Sequence, residues 1–170
     1  MLSGRRSNGV KSSTLIAEKS IAVPRSAIWL GASGFLPFGT AALAAAFLDE
    51  QFAGWAIAAL MTYGAAILSF LGGIHWGVAI ASDPGAGALP RRLVVSVAPS
   101  LIAWAGLLLP LKAGLLLLAA GFAAILYVDI RATRAGEMPP WYPRLRWPLS
   151  IAVLAALLLG SIAGAVGVGR

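Results

Sequence analysis

One ionisable side chain, His75, falls inside an apolar segment, in the run YGAAILSFLGGIHWG over residues 63–77. Counted back from Ser82 it lies roughly 10 Å inside the end of that segment. An ionisable group at such depth is costly and marks a functional site by default. The preferred reading is an interfacial histidine, bonded to a neighbouring carbonyl or reaching toward headgroups, because no second His, Asp or Glu lies at comparable depth to form a relay. Ser33 sits at a similar depth in Gly31, Ala32, Ser33, Gly34, a G-x-S-G pattern seen around intramembrane serine nucleophiles. With His75 as base it would form a hydrolytic dyad. Helix packing in lipid selects the same small residues, and packing is the preferred reading. One histidine and no cysteine leave no credible zinc ligand set, so no metal and no cofactor is expected.

A second group of chemistry-bearing residues lies between 129 and 147: Asp129, Arg131, Arg134, Glu137, Trp141, Tyr142, Arg144 and Arg146, beside Pro139 and Pro140. It reads as an ordered interfacial loop. Asp129, at the end of an apolar segment, should seek a cation, with Arg91, Arg92, Arg144 or Arg146 as candidates. A structural ion pair is preferred over an anion site in which the arginines grip a phosphate while Trp141 and Tyr142 anchor at the surface.

The elements that must position these residues are membrane spans. Of the 170 residues 59% are hydrophobic and 11% charged, far outside soluble usage. A hydrocarbon core about 30 Å thick needs about 20 apolar residues of helix, and five stretches qualify or nearly do: 26–48, 52–81, 93–110, 113–128 and 148–167. The second must tilt or project, the fourth is marginally long, and the fifth starts at Pro148, where a missing N–H costs little. Pro37 and Pro99 would free the carbonyls of Ser33 and Val95. The chain reads as an all-α integral membrane protein, a single five-helix bundle over 25–168 behind a basic tail, 1–24, too polar to fold and without the pattern of a cleaved leader.

Charge fixes the orientation. Arg5, Arg6, Lys11, Lys19, Arg25, Arg91, Arg92, Arg131, Arg134, Arg144 and Arg146 fall on one side of this ladder, and only Lys112 and Arg170 on the other. The positive-inside rule places the N-terminus in the cytoplasm, or the matrix if mitochondrial, and the C-terminus outside. Trp29, Trp76, Tyr127, Trp141, Tyr142 and Trp147 fall near the same interface. The net charge of +7 suits anionic lipid headgroups and carries no nucleic-acid-binding pattern.

Within the second span Ala65, Ser69, Gly73 and Gly77 recur every four residues and make one stripe of small side chains, a seam for another helix. Ala156, Gly160 and Gly164 form a weaker version in the last span, a candidate partner. His75 lies about 200° round the helix from Gly73 and faces with Leu68, Leu71 and Gly72.

Tyr63, ILSFLGG, Trp76 and Gly77, followed by Asp129 and then Pro140, Trp141, Tyr142, Leu145 and Arg146, resemble the transmembrane protein 69 family (DUF3429), a bacterial and mitochondrial domain of unknown function. The resemblance covers about residues 24–164. It implies a multi-pass location in the bacterial inner membrane, or the mitochondrial one in a eukaryote, and brings no activity, cofactor or catalytic residue. Ser33 and the basic tail lie outside the resembling motifs.

Together these readings favour a non-enzymatic accessory or assembly factor that binds another membrane protein through its seams and its aromatic-basic face. The alternative is a site for a quinone, lipid headgroup or transported solute, lined by Tyr63, His75, Trp76, Asp129, Trp141, Tyr142 and Arg146. An intramembrane hydrolase using Ser33 and His75 comes third.

Overall fold

The computed structural model of the chain describes residues 22–82 and 89–167, with side chains through 164. The expected disordered tail falls, up to residue 21, outside the described residues, as does Arg170. Five helices follow in order: α1 (Arg25–Phe47), α2 (Glu50–Ala81), α3 (Leu89–Leu108), α4 (Leu111–Arg134) and α5 (Tyr142–Gly167). All five are long and apolar enough to cross a membrane. In lipid the backbone must satisfy its own hydrogen bonds, and the helix is one of the two ways to do so.

The helices close a ring in chain order, α5 returning to α1, and α2 touches all four others. Successive helices run antiparallel, so the N-termini of α1, α3 and α5 meet the C-termini of α2 and α4 at one end. Arg25, Arg91, Arg92, Arg131, Arg134, Arg144 and Arg146 gather there. Among the described residues the other end holds only Lys112, with Asp49 and Glu50. Exposed tryptophans mark both levels: Trp29, Trp76 and Trp147 near the cationic end, Trp55 and Trp104 near the other. Trp55 and Trp76 are both on α2 and about 30 Å apart along its axis, which matches the thickness of a hydrocarbon core.

Helix bounds differ from the expected spans where polar residues join an apolar run. The fourth span was expected to stop at 128, yet α4 runs on to Arg134. The fifth was expected to start at Pro148, yet α5 starts six residues earlier and carries Pro148 in its interior. The interfacial loop expected over 129–147 therefore shrinks to 135–141, and most of its polar residues sit on helices. The reason is the headgroup layer, where water can serve the backbone groups a charged turn or a proline leaves open. Pro37 and Pro99 likewise sit inside continuous helices.

Phe38, Leu60, Leu68, Leu115, Leu118, Phe122 and Leu157 fill the interior. Phe38 meets Tyr63 edge-on at 5.0 Å and Phe122 at 5.8 Å between ring centroids. Two glycine contacts let helices close. A Cβ on Gly72 would run into the Ser96 carbonyl and Pro99 of α3, and one on Gly114 would meet the Gly106 carbonyl across the α3–α4 turn.

Candidate functional site

His75 stands six residues before the end of α2 at Ala81, and Asp129 five before the end of α4 at Arg134. Two parallel neighbours that end at the same level with matched overhangs put both side chains at one depth, against the expectation that no acid lies level with His75. Reading Asp129 as the end of a span hid that match. The His75 Nε2 lies 2.8 Å from Asp129 Oδ1, and Arg146 Nε donates to Asp129 Oδ2 at 2.7 Å. Arginine stays charged, so its counter-ion is the carboxylate, which only accepts; the proton of the histidine bond therefore sits on Nε2. All three residues are buried, Asp129 to 1% exposure. The expected ion pair of Asp129 is thus made with Arg146, and His75 joins it instead of a carbonyl or a headgroup.

The end of α4 shapes what lies beside this cluster. Gly136 takes a positive φ of 78°, its N–H donates to Thr133 O, and the Glu137 N–H donates to Ala132 O. This glycine-capped termination satisfies the last carbonyls and points Glu137 at Arg92, whose Nη2 lies 2.5 Å from Oε1. Arg92 also donates to Ser82 Oγ at 3.1 Å, tying α2, α3 and the loop together. Arg131 lies along Tyr127, donating to its hydroxyl at 3.2 Å with the guanidinium 5.9 Å from the ring centre.

Between the ends of α2, α3 and α4 these residues leave an open cleft of about 510 Å³. Arg91, Arg92 and Arg131 line it, with Glu137 the sole carboxylate among the described residues, and His75 reaches its wall. Val78, Val95 and Val128 make the apolar part of the lining. Such a cleft can take an anion with an apolar body.

The expected site residues separate into two sets. His75, Asp129, Tyr142 and Arg146 come together: Tyr142 is packed with Ala132 and Met138 against Ile74 and Val78, the neighbours of His75. Trp141 stacks edge-on against Tyr142 at 6.0 Å. Tyr63 is elsewhere, three turns away on α2, where its hydroxyl donates to Gly34 O at 2.9 Å. Trp76 points out of the bundle, 44% exposed at the lipid boundary. Ser33 is exposed and donates to Leu30 O in its own helix at 3.0 Å, so it forms no dyad with the already engaged His75.

The small-residue stripe also divides. Ala65 is buried and Ser69 half-buried, while Gly73 and Gly77 are exposed and a Cβ on either would meet nothing. Within the chain the close approach of α2 is one residue back, at Gly72. Gly160 and Gly164 do face a neighbour, but they meet Leu60 and Ile57 on α2 and Leu111 on α4, not the stripe. Sequence reasoning treated Arg91, Arg92 and Arg131 mainly as topology markers. Their signal as a site was that both arginine groups end helices adjacent to His75's helix.

The molecule is thus a five-helix membrane protein whose buried His-Asp-Arg cluster backs an arginine-lined cleft at one interface. The chain belongs to the family described as "Protein of unknown function (DUF3429)", which matches residues 23–162 and so takes in the cluster and the cleft. It is similar to Transmembrane protein 69 of Xenopus tropicalis, 32% identical over 137 residues, which are 79% of this chain and 53% of that protein. With Transmembrane protein 69 of Mus musculus the identity is 28% over 125 residues, 72% of this chain and 50% of the relative. The chain spans about half the length of the curated relatives it matches. No solved structure matches it.

Proposed function

We propose that the protein binds the phosphate-bearing headgroup of an anionic membrane amphiphile in the cleft between α2, α3 and α4, without catalysing a reaction. One observation carries this reading: three arginines converge on a cleft that, among the described residues, holds a single carboxylate and apolar walls, at the level of the tryptophan belt. Arginine's planar fork suits phosphate oxygens. Glu137 occupies Arg92, which among the described residues leaves Arg91 and Arg131 as the cations to grip a headgroup. The buried cluster contributes rigidity, since Asp129 holds His75 from one side and Arg146 from the other. The positive-inside rule puts this face in the cytoplasm of a bacterium or the matrix of a mitochondrion, where anionic lipid is at hand.

Native mass spectrometry of the full chain from mild detergent tests it. The wild type is expected to retain phosphatidylglycerol or another anionic phospholipid over phosphatidylcholine, and Arg91→Ala with Arg131→Ala to lose that preference. Equal retention in both proteins would exclude the cleft as the site. A second reading, an accessory or assembly factor, draws support from the bare strip at Gly73 and Gly77, where a foreign helix could come close. A stoichiometric membrane protein that co-purifies with the wild type and is lost on Gly77→Leu would favour it.

A further inference from the structure

α5 turns a polar edge into the bundle before it turns an apolar one. Its buried stripe runs Tyr142, Arg146, Ser150 and then Val153, Ala156 and Leu157. The spacing of four stacks the first three above one another over about 12 Å of helix. They are 9%, 7% and 1% exposed. Tyr142 Oη, Arg146 Nη2 and Ser150 Oγ nevertheless make no hydrogen bond among the described residues.

Buried polar atoms are nearly always satisfied, by protein or by ordered water. Three unpartnered ones in register on one helix edge therefore describe a site and also its chemistry. Arg146 has committed Nε to Asp129, and Nη2 can only donate, so an occupant must offer it an acceptor. The two hydroxyls can each donate and accept. The enclosure is tight, with Tyr142 packed among Ala132, Met138, Ile74 and Val78. Water meets every one of these terms: it accepts from a guanidinium, bonds to hydroxyls in either sense, and is small.

We propose that this edge of α5 is a binding site for ordered water, bridging Arg146 Nη2 to Tyr142 Oη above it and to Ser150 Oγ below it. Water there completes a hydrogen-bonded line that begins at His75 on the cleft wall, passes Asp129 and Arg146, and ends at Ser150, two turns deeper than Tyr142. It also fixes the free end of the Arg146 side chain, and through it the carboxylate that holds His75. The site does not depend on what the cleft binds.

The sign of a stability change separates this from a set of unpaired groups. Deleting a hydroxyl that holds water strands the water's other partner, whereas deleting an unpaired buried hydroxyl removes a penalty. Tyr142→Phe and Ser150→Ala, measured on the full chain in detergent, are each expected to lower Tm by roughly 2–4 °C. Ser96→Ala is the control, because that buried hydroxyl already donates to Leu93 O at 2.7 Å, and it should shift Tm less than either. An unchanged or raised Tm in either test variant overturns the proposal. Independently of any variant, a water-resolving structure of the wild type should show water density bonded to Arg146 Nη2 and to at least one of the two hydroxyls. Density for a lipid or solute group there, or none, overturns it as well.

Discussion

Gly72 and Gly73 are neighbours on α2 and meet opposite surroundings. A Cβ on Gly72 has no room against the Ser96 carbonyl and Pro99, while one on Gly73 meets nothing at all. The same division runs along the whole helix. Leu60, Gly64, Leu68, Leu71, Gly72, His75 and Ala79 are buried, and Phe70, Gly73, Trp76, Gly77 and Ile80 look outward. Lipid explains why both faces can be equally apolar: hydrocarbon tails are as apolar as leucine, so hydrophobicity does not tell an inner face from an outer one. Small residues show where a backbone lies bare. Only the neighbouring helix decides whether the bareness is used. The polar residue is the better guide to the inner face, since His75, 200° from Gly73, must turn away from lipid.

The largest effect is expected where that inner face carries charge. Asp129→Ala leaves Arg146 buried to 7% exposure without its counter-ion, and breaking a buried pair in this way costs about 3–5 kcal/mol. Unfolding of the full chain in mixed detergent micelles should show a loss of that size. A double variant, Asp129→Leu with Arg146→Met, should recover much of it, because a buried pair replaced by apolar groups of similar volume is often close to neutral. Additive losses in the two single changes and the double would show that the cluster is not coupled, and would break the contrast between the faces at its strongest point.

Gly72→Leu comes next. The obstructing atoms are a backbone carbonyl and a proline, neither of which can swing aside, so α2 and α3 must part along their contact. A cost of about 1–3 kcal/mol is expected for such overpacking, read as a lower Tm by size-exclusion-monitored melting. An unchanged melting temperature would mean that α3 is free to shift, and that the tight face of α2 is no tighter than the open one.

The bundle was legible because each span follows from a local property, an apolar run long enough for the hydrocarbon core. Which helix ends share the cationic level was legible because charges cluster on alternate loops. What escaped was depth across helices. Asp129 looked terminal because its span was counted to 128, while α4 goes on to Arg134; hydropathy ends a span at the first charges, but the backbone helix continues through the headgroup layer. The same cause hid the first turns of α5, and with them the four-residue spacing of Tyr142, Arg146 and Ser150. The Asp129–Arg146 pair was within reach of sequence reasoning, since an acid at a span's end needs a cation and few were available. The His75–Asp129 contact joins residues 54 positions apart, and no local pattern reports it. The open cleft was equally hidden, as it exists only where three helix ends from separate parts of the chain converge.

The smallest effect is expected on the outer face. Gly73→Leu adds a side chain into open space on a helix already flanked there by Phe70 and Trp76, both exposed. It removes a glycine from a helix interior, which favours the helix by a little under 1 kcal/mol, and it displaces only lipid. The isolated chain should therefore keep its melting temperature within a few degrees, or gain slightly. A pronounced loss would place Gly73 in a contact that the single chain does not make. The next measurement would then be its mass in detergent: a variant that falls from dimer to monomer would show that the outer face of α2 meets a second copy, and the two faces of the helix would differ only in whose helix lies against them.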